Sequence, residues 1–155
     1  MRIAHKVGIA IAAIVLLLLT LLLPRAGHAD QSSNFGDLTI RYSAISTDQL
    51  PPEMAQRYGF ERSSHRGLVN IAVEKKPSAG AVGAMIAANV SGSVADLSGH
   101  KRPIGFRQTQ EDGQVDYLGE FPLDGSGTYV FTIQVSTPGQ SVPYTVKFNR
   151  DYVLE

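Results

Sequence analysis

Tyr129-Val130-Phe131-Thr132-Ile133-Gln134-Val135 places large apolar side chains at 129, 131, 133 and 135 and lets Thr132 and Gln134 fall between them. Successive side chains of a strand point to opposite faces, so this period of two describes a strand with one face in a core. The turn-forming set Thr137-Pro138-Gly139-Gln140 follows, and then Val142, Tyr144, Val146 and Phe148 repeat the alternation, with all four expected to face inward. Upstream, Asp124-Gly125-Ser126-Gly127 is a second turn. Before it, Ile104, Phe106 and Gln108 lead into Glu111-Asp112-Gly113-Gln114, and Val115, Tyr117, Gly119 and Phe121 answer them. An Asp-Gly pair between two alternating runs is a hairpin signal, because both central residues of the favoured turn need positive φ.

Working towards the N-terminus, the even positions from Val82 to Val94 keep period two, which predicts a strand whose small side chains admit a close neighbouring layer or mark an edge with little to pack. A strand over Leu68 to Lys76 turns Val69, Ile71 and Val73 to one side, and Pro77 and Gly80 end it. After a polar leader, Asp30 to Asn34, a first strand is expected from Phe35 to Ser46 on the alternation of Leu38, Ile40, Tyr42 and Ala44. Thr47 or Asp48 can cap a short helix that begins at Pro51-Pro52 and stops at Gly59, with Leu50, Met54 and Tyr58 on a face that closes one end of the core. The fold expected is all-β: an antiparallel, immunoglobulin-like β-sandwich of about seven strands, with one short helix after the first strand and an N-terminal signal helix before it.

Arg2, His5 and Lys6 precede an uncharged run from Val7 to Leu23, and Gly27-His28-Ala29 supplies small residues at a peptidase site. That order is a secretory signal over residues 1–29, expected to be cleaved after Ala29, with an uncleaved anchor as the alternative. A single domain, 30–155, and a periplasmic location follow. Arg2, Lys6 and Arg25 are three of the 14 basic residues, while none of the 14 acidic ones precedes Asp30, so 11 face 14 in the exported part and the net charge is near −3. That balance speaks against a nucleic-acid partner. The chain has no cysteine, so its core must hold it without disulfides.

No catalytic site is legible. Ser63 and Ser64 adjoin His65 in sequence, but no Gly-x-Ser-x-Gly elbow is present, and adjacency in sequence does not aim a base at a nucleophile. His65 and His100 are isolated, which leaves no local metal-ligand spacing. Gly125-Ser126-Gly127 lacks the following helix that a phosphate loop needs, and Asp112, Asp116, Glu120 and Asp124 read as a solvated face and turns. Neither a cofactor nor a metal is expected. The densest polar feature is Arg57, Arg62, His65 and Arg66, which could grip a carboxylate or phosphate, or else pair with Glu53 and Glu61 as an ordinary surface. A loop from Asp96 to Pro103, with His100, Lys101 and Arg102, could join that surface if both lie at one end of the sandwich.

Phe35-Gly36-Asp37, the stretch Leu50-Pro51-Pro52-Glu53-Met54-Ala55-Gln56-Arg57-Tyr58-Gly59, Arg62-Ser63 and Gly67-Leu68-Val69-Asn70-Ile71-Ala72-Val73 resemble DUF4426, a family of small exported bacterial proteins of unknown function. Phe106-Arg107 and the run Tyr129 to Val135 fit the same pattern, and Ser78 to Asn89, rich in alanine and glycine, departs from it. The resemblance implies a periplasmic Gram-negative protein and carries over no catalytic residue. The function expected is a non-enzymatic binding or accessory module whose partner is another periplasmic or envelope protein. An enzyme with a site assembled from distant residues such as His65 and His100, or a chaperone-like partner that adds a strand through the edge near Val82 to Val94, is the alternative.

Overall fold

The computed structural model describes residues 31–77 and 83–154. The expected signal segment, its cleavage site and Val82 lie outside the described residues. Among the described residues, ten strands form: β1 (Gln31–Phe35), β2 (Leu38–Ser46), β3 (Arg66–Lys75), β4 (Ala84–Met85), β5 (Asn89–Asp96), β6 (Lys101–Ile104), β7 (Phe106–Glu111), β8 (Gln114–Pro122), β9 (Gly127–Ser136) and β10 (Tyr144–Tyr152). One helix, α1 (Pro52–Tyr58), and a 3-10 turn, Thr47–Gln49, stand between β2 and β3. The larger sheet runs β1-β2-β3-β8-β7, with β4 beside β3, and the smaller runs β10-β9-β5-β6. The expected antiparallel sandwich is the observed architecture.

The alternation that defined the strands also defines the core. Ile40, Val69, Ile71 and Val73 of the larger sheet face Phe131, Ile133 and Val135 of the smaller, all excluded from solvent. Phe131 stacks on Phe148 at 4.7 Å and meets the Phe121 ring edge-on at 5.0 Å. Tyr42 stacks on Phe148 at 4.6 Å and Phe35 on Tyr144 at 4.7 Å, closing the side of the sandwich where β1, β2 and β10 meet. A Cβ on Gly67 would land in the Phe121 ring, so only glycine lets that ring lie flat against β3. The Asp112-Gly113 turn takes positive φ at both residues, 49° and 79°, as its hairpin requires.

Several expectations change. The polar leader is an edge strand: β1 pairs along its whole length with the first half of β2, from Gln31↔Tyr42 to Phe35↔Leu38. Its ladder holds it, not an apolar face, so hydropathy gives no sign of it. The single strand expected over Val82 to Val94 is divided between the two sheets. β4 pairs with Glu74 and Lys75, and β5 pairs with β9. Between them the chain crosses layers, tied by the Ala88 N–H donating to the Tyr117 hydroxyl at 2.7 Å. Gly92 is small because β9 is close: a Cβ there would meet Ile133 Cδ1 at 2.6 Å and the Thr132 carbonyl at 2.9 Å. The expected free edge is also absent from β5, which lies between β9 and β6. Lys101 to Pro103, expected in a connecting loop, join Ile104 in β6, paired with β5 from Ala95↔Lys101 to Gly92↔Ile104. Pro103 fits there because β6 is an edge strand. Val142 does not face inward; it precedes β10 and is 72% exposed.

Candidate binding site

The outer face of an antiparallel sandwich sheet is ordinarily polar. Here the register brings Ile45, Leu68 and Leu118 together on the outer face of the larger sheet, since Leu68 pairs with Ile45 and Leu118 is opposite Asn70, two residues along β3. These three require a cover, and the segment from Thr47 to Phe60 supplies it. Leu50, Ala55, Phe60, Leu68 and Leu118 form a second, smaller core with Ile45 and Tyr58 packed against it. The helix therefore does not close the end of the main core as expected. It builds a separate cluster on the outside of the sheet, with Ala55 buried and Met54 exposed at its rim.

Side chains of the sheet and the following loop fix this cover. α1 starts at Pro52 after a Pro51 cap that makes no side-chain bond, and ends at Gly59 in the left-handed conformation. Thr47, expected as a possible cap, is instead fully buried and bonds the loop at 61–63. Arg107 of β7 lies 4.3 Å over the Phe60 ring and donates to the Tyr58 carbonyl. Glu111 accepts from the Tyr58 hydroxyl at 2.6 Å and from Arg57 at 2.7 Å. The hydrogen bond to that carboxylate, followed by burial, holds the Tyr58 hydroxyl above its ordinary pKa.

The cover is incomplete. A groove of about 290 Å³ remains between α1 and the sheet, walled by Leu50, Pro51, Met54 and Tyr58 and floored by Leu68 and Leu118. Its far end is polar, where Ser43, Asn70, Thr109 and Asp116 line it. A second hollow of about 160 Å³ continues from there towards Arg41 and Gln114 and shares Ser43, Asn70 and Asp116. The Asn70 side-chain oxygen is buried and has no hydrogen-bond partner. Asp116 makes no ion pair among the described residues. An apolar trough ending in a few polar groups is the usual make-up of a small-molecule site, and this one is at the small end of the customary range of about 300–1,000 Å³.

The residues singled out by their charge are elsewhere engaged. Arg57 pairs with Glu111, Arg62 donates to the Asp48 carbonyl at 2.6 Å, and Arg66 sits between Glu61 at 3.3 Å and Glu120 at 3.8 Å. His65 is exposed; its backbone N–H, not its ring, bonds the Ser63 hydroxyl. The loop before β6 does reach the same end of the sandwich: Arg66 is opposite Pro122 at the end of β8, and Arg102 pairs with Asp124 just beyond it. His100, also exposed, bonds Asp96 across the β5–β6 turn. The His100 backbone N–H holds the Asp96 carboxyl below its ordinary pKa. Sequence reasoning missed the groove because its polar residues, Asn70 and Asp116, look like routine outer-face positions. The available signal was the apolar Leu68 and Leu118 on the faces opposite Val69 and Tyr117.

A two-sheet antiparallel sandwich with one helix laid on its outer face defines the class. The chain belongs to DUF4426, a domain of unknown function, whose family model matches residues 32–154. No curated protein matches the sequence. The crystal structure of a DUF4426 family protein from Pseudomonas aeruginosa PAO1 is similar with a TM-score of 0.68 and 32% identity, over 81% of this chain and 96% of that one. FetP of uropathogenic Escherichia coli strain F11, recombinantly expressed in the periplasm of E. coli, shares the fold with a TM-score of 0.58 and 14% identity, over 81% of this chain and 94% of its own. A copper-bound variant of Campylobacter jejuni P19 shares it at 0.53 and 11% identity, over 79% and 94%.

Proposed function

We propose that this protein is an exported, non-enzymatic binding module of the periplasm, serving an envelope protein as an accessory, and that its ligand lies in the groove beneath α1. The observation that carries the reading is the groove itself, an apolar trough with a buried, unpartnered carboxamide oxygen at its polar end. The secretory pattern before Asp30 and the periplasmic expression of FetP support the compartment. The copper bound by the P19 variant is a property of that protein and is not part of this reading; among the described residues, no three His, Cys, Asp or Glu side chains gather in one place. Neither His65 nor His100 lines the groove. Arg57, Arg62 and Arg66 do not converge on one point: each is directed at a separate acceptor within the chain.

The test uses residues 30–155, since 81% of this chain matches 96% of the crystallised chain of the P. aeruginosa relative. The neutral probe N-phenyl-1-naphthylamine is expected to bind with enhanced fluorescence. Ser43→Trp, on the outer face of β2 at the groove, is expected to weaken it by about tenfold or more while the far-UV circular dichroism and melting temperature hold. Absence of probe binding, or equal binding by the folded variant, contradicts the reading.

A further inference from the structure

We infer that the groove takes a small organic amine, its ammonium group held between Asp116 and Asn70 and its apolar body lying beneath α1. The inference rests on the binding reading above and adds the headgroup chemistry. Asn70 is opposite Leu118 and Asp116 is opposite Ala72 on the paired strands β3 and β8. The two side chains are therefore diagonal neighbours on one face, about 7 Å apart at the backbone. One nitrogen with several N–H donors can reach both acceptors from between them. A carboxylate or phosphate placed there would set its oxygens against the Asp116 carboxylate and the buried Asn70 oxygen. A neutral alcohol has a single donor to offer the pair.

The cations around this end are already directed elsewhere. Arg41 is held by Glu74 at 2.7 Å, and Arg57 by Glu111 at 2.7 Å. Arg107 projects from β7 opposite Leu118, but its guanidinium lies over Phe60 and donates to the Tyr58 carbonyl. Asp116 is thus the charge at the groove with no countercharge among the described residues. A charge-assisted hydrogen bond to a carboxylate is the strongest contact such a pocket can make. The apolar walls at Leu50, Met54 and Tyr58 then accept a short hydrocarbon body.

Octylammonium, octanol and octanoate share one tail and differ in the head. In displacement of N-phenyl-1-naphthylamine at pH 7, octylammonium is expected to bind about tenfold or more tightly than octanoate, with octanol between them. Asp116→Asn is expected to reduce octylammonium to within about threefold of octanol while leaving octanol unchanged. Asn70→Leu, which removes the other acceptor, is expected to weaken the amine as well, and thermal melting confirms that both variants are folded. Amine binding no tighter than octanol, or a preference for the amine that survives both substitutions, overturns the inference. If octanol binds and the amine gains nothing, only the headgroup assignment fails; if no octyl compound displaces the probe, the binding reading fails with it.

Discussion

Phe131→Ala is expected to lower the free energy of unfolding by about 3–5 kcal/mol, the range for removing a buried aromatic ring. Phe131 is fully buried at the centre of β9 and touches both layers. One face of its ring stacks on Phe148 of β10, and its edge meets Phe121 of β8 in the opposite sheet. Deleting it leaves a void between two rings, and neither can swing in: Phe148 is held by Tyr42 on its other side and Phe121 by the bare backbone of Gly67. A domain of this size has roughly 5–15 kcal/mol of stability in all, so the loss should be evident as a large shift of the urea midpoint. A shift worth under about 1 kcal/mol would show that the two sheets do not meet around this ring.

Thr47→Val is expected to cost about 1–3 kcal/mol although it keeps the side chain's shape, because the partly buried Ser63 N–H and Glu61 carbonyl lose the partner they have in the buried hydroxyl. The Thr47 hydroxyl accepts the Ser63 N–H at 3.0 Å and donates to the Glu61 carbonyl at 2.8 Å, with the Ser63 carbonyl at 3.1 Å. These bonds fasten the loop that follows Phe60 and so hold the cover on the outer face of the larger sheet. Thr47→Ser, which keeps the hydroxyl, should recover most of the loss. Equal destabilisation by serine and valine would assign the effect to the methyl group's packing instead.

The strands with one buried face were legible because burial on one side imposes period two. Phe131, Ile133 and Val135 show it in β9, and Val69, Ile71 and Val73 in β3. β1 was not legible, since Gln31-Ser32-Ser33-Asn34 is kept in the sheet by hydrogen bonds that any backbone can make. The division of Val82 to Val94 was hidden for a different reason: the period persists through β5 while the chain changes sheets near Ile86 to Ala88, and alternation carries no information about which sheet a strand joins. The helix was legible from Pro52 and Gly59, but not its place, because Leu50 and Tyr58 record only that a face is apolar. The candidate site follows the same logic. Arg57, Arg62, His65 and Arg66 were conspicuous as charge, yet the structure ties the three arginines to partners within the chain. Asn70 and Asp116 become notable only through what they lack, a hydrogen-bond partner and a countercharge, and such absences exist in space alone.

The central claim is that the groove beneath α1 is where this protein binds its ligand. The most direct measurement is an amide-resolved NMR titration of residues 30–155 with octylammonium. The account predicts that shift changes concentrate at Ser43, Ile45, Met54, Asn70, Asp116 and Leu118, around the groove. Changes concentrated instead between Glu61 and Arg66 and around Asp96 to Arg102, at the end of the sandwich where β8 finishes, would contradict it.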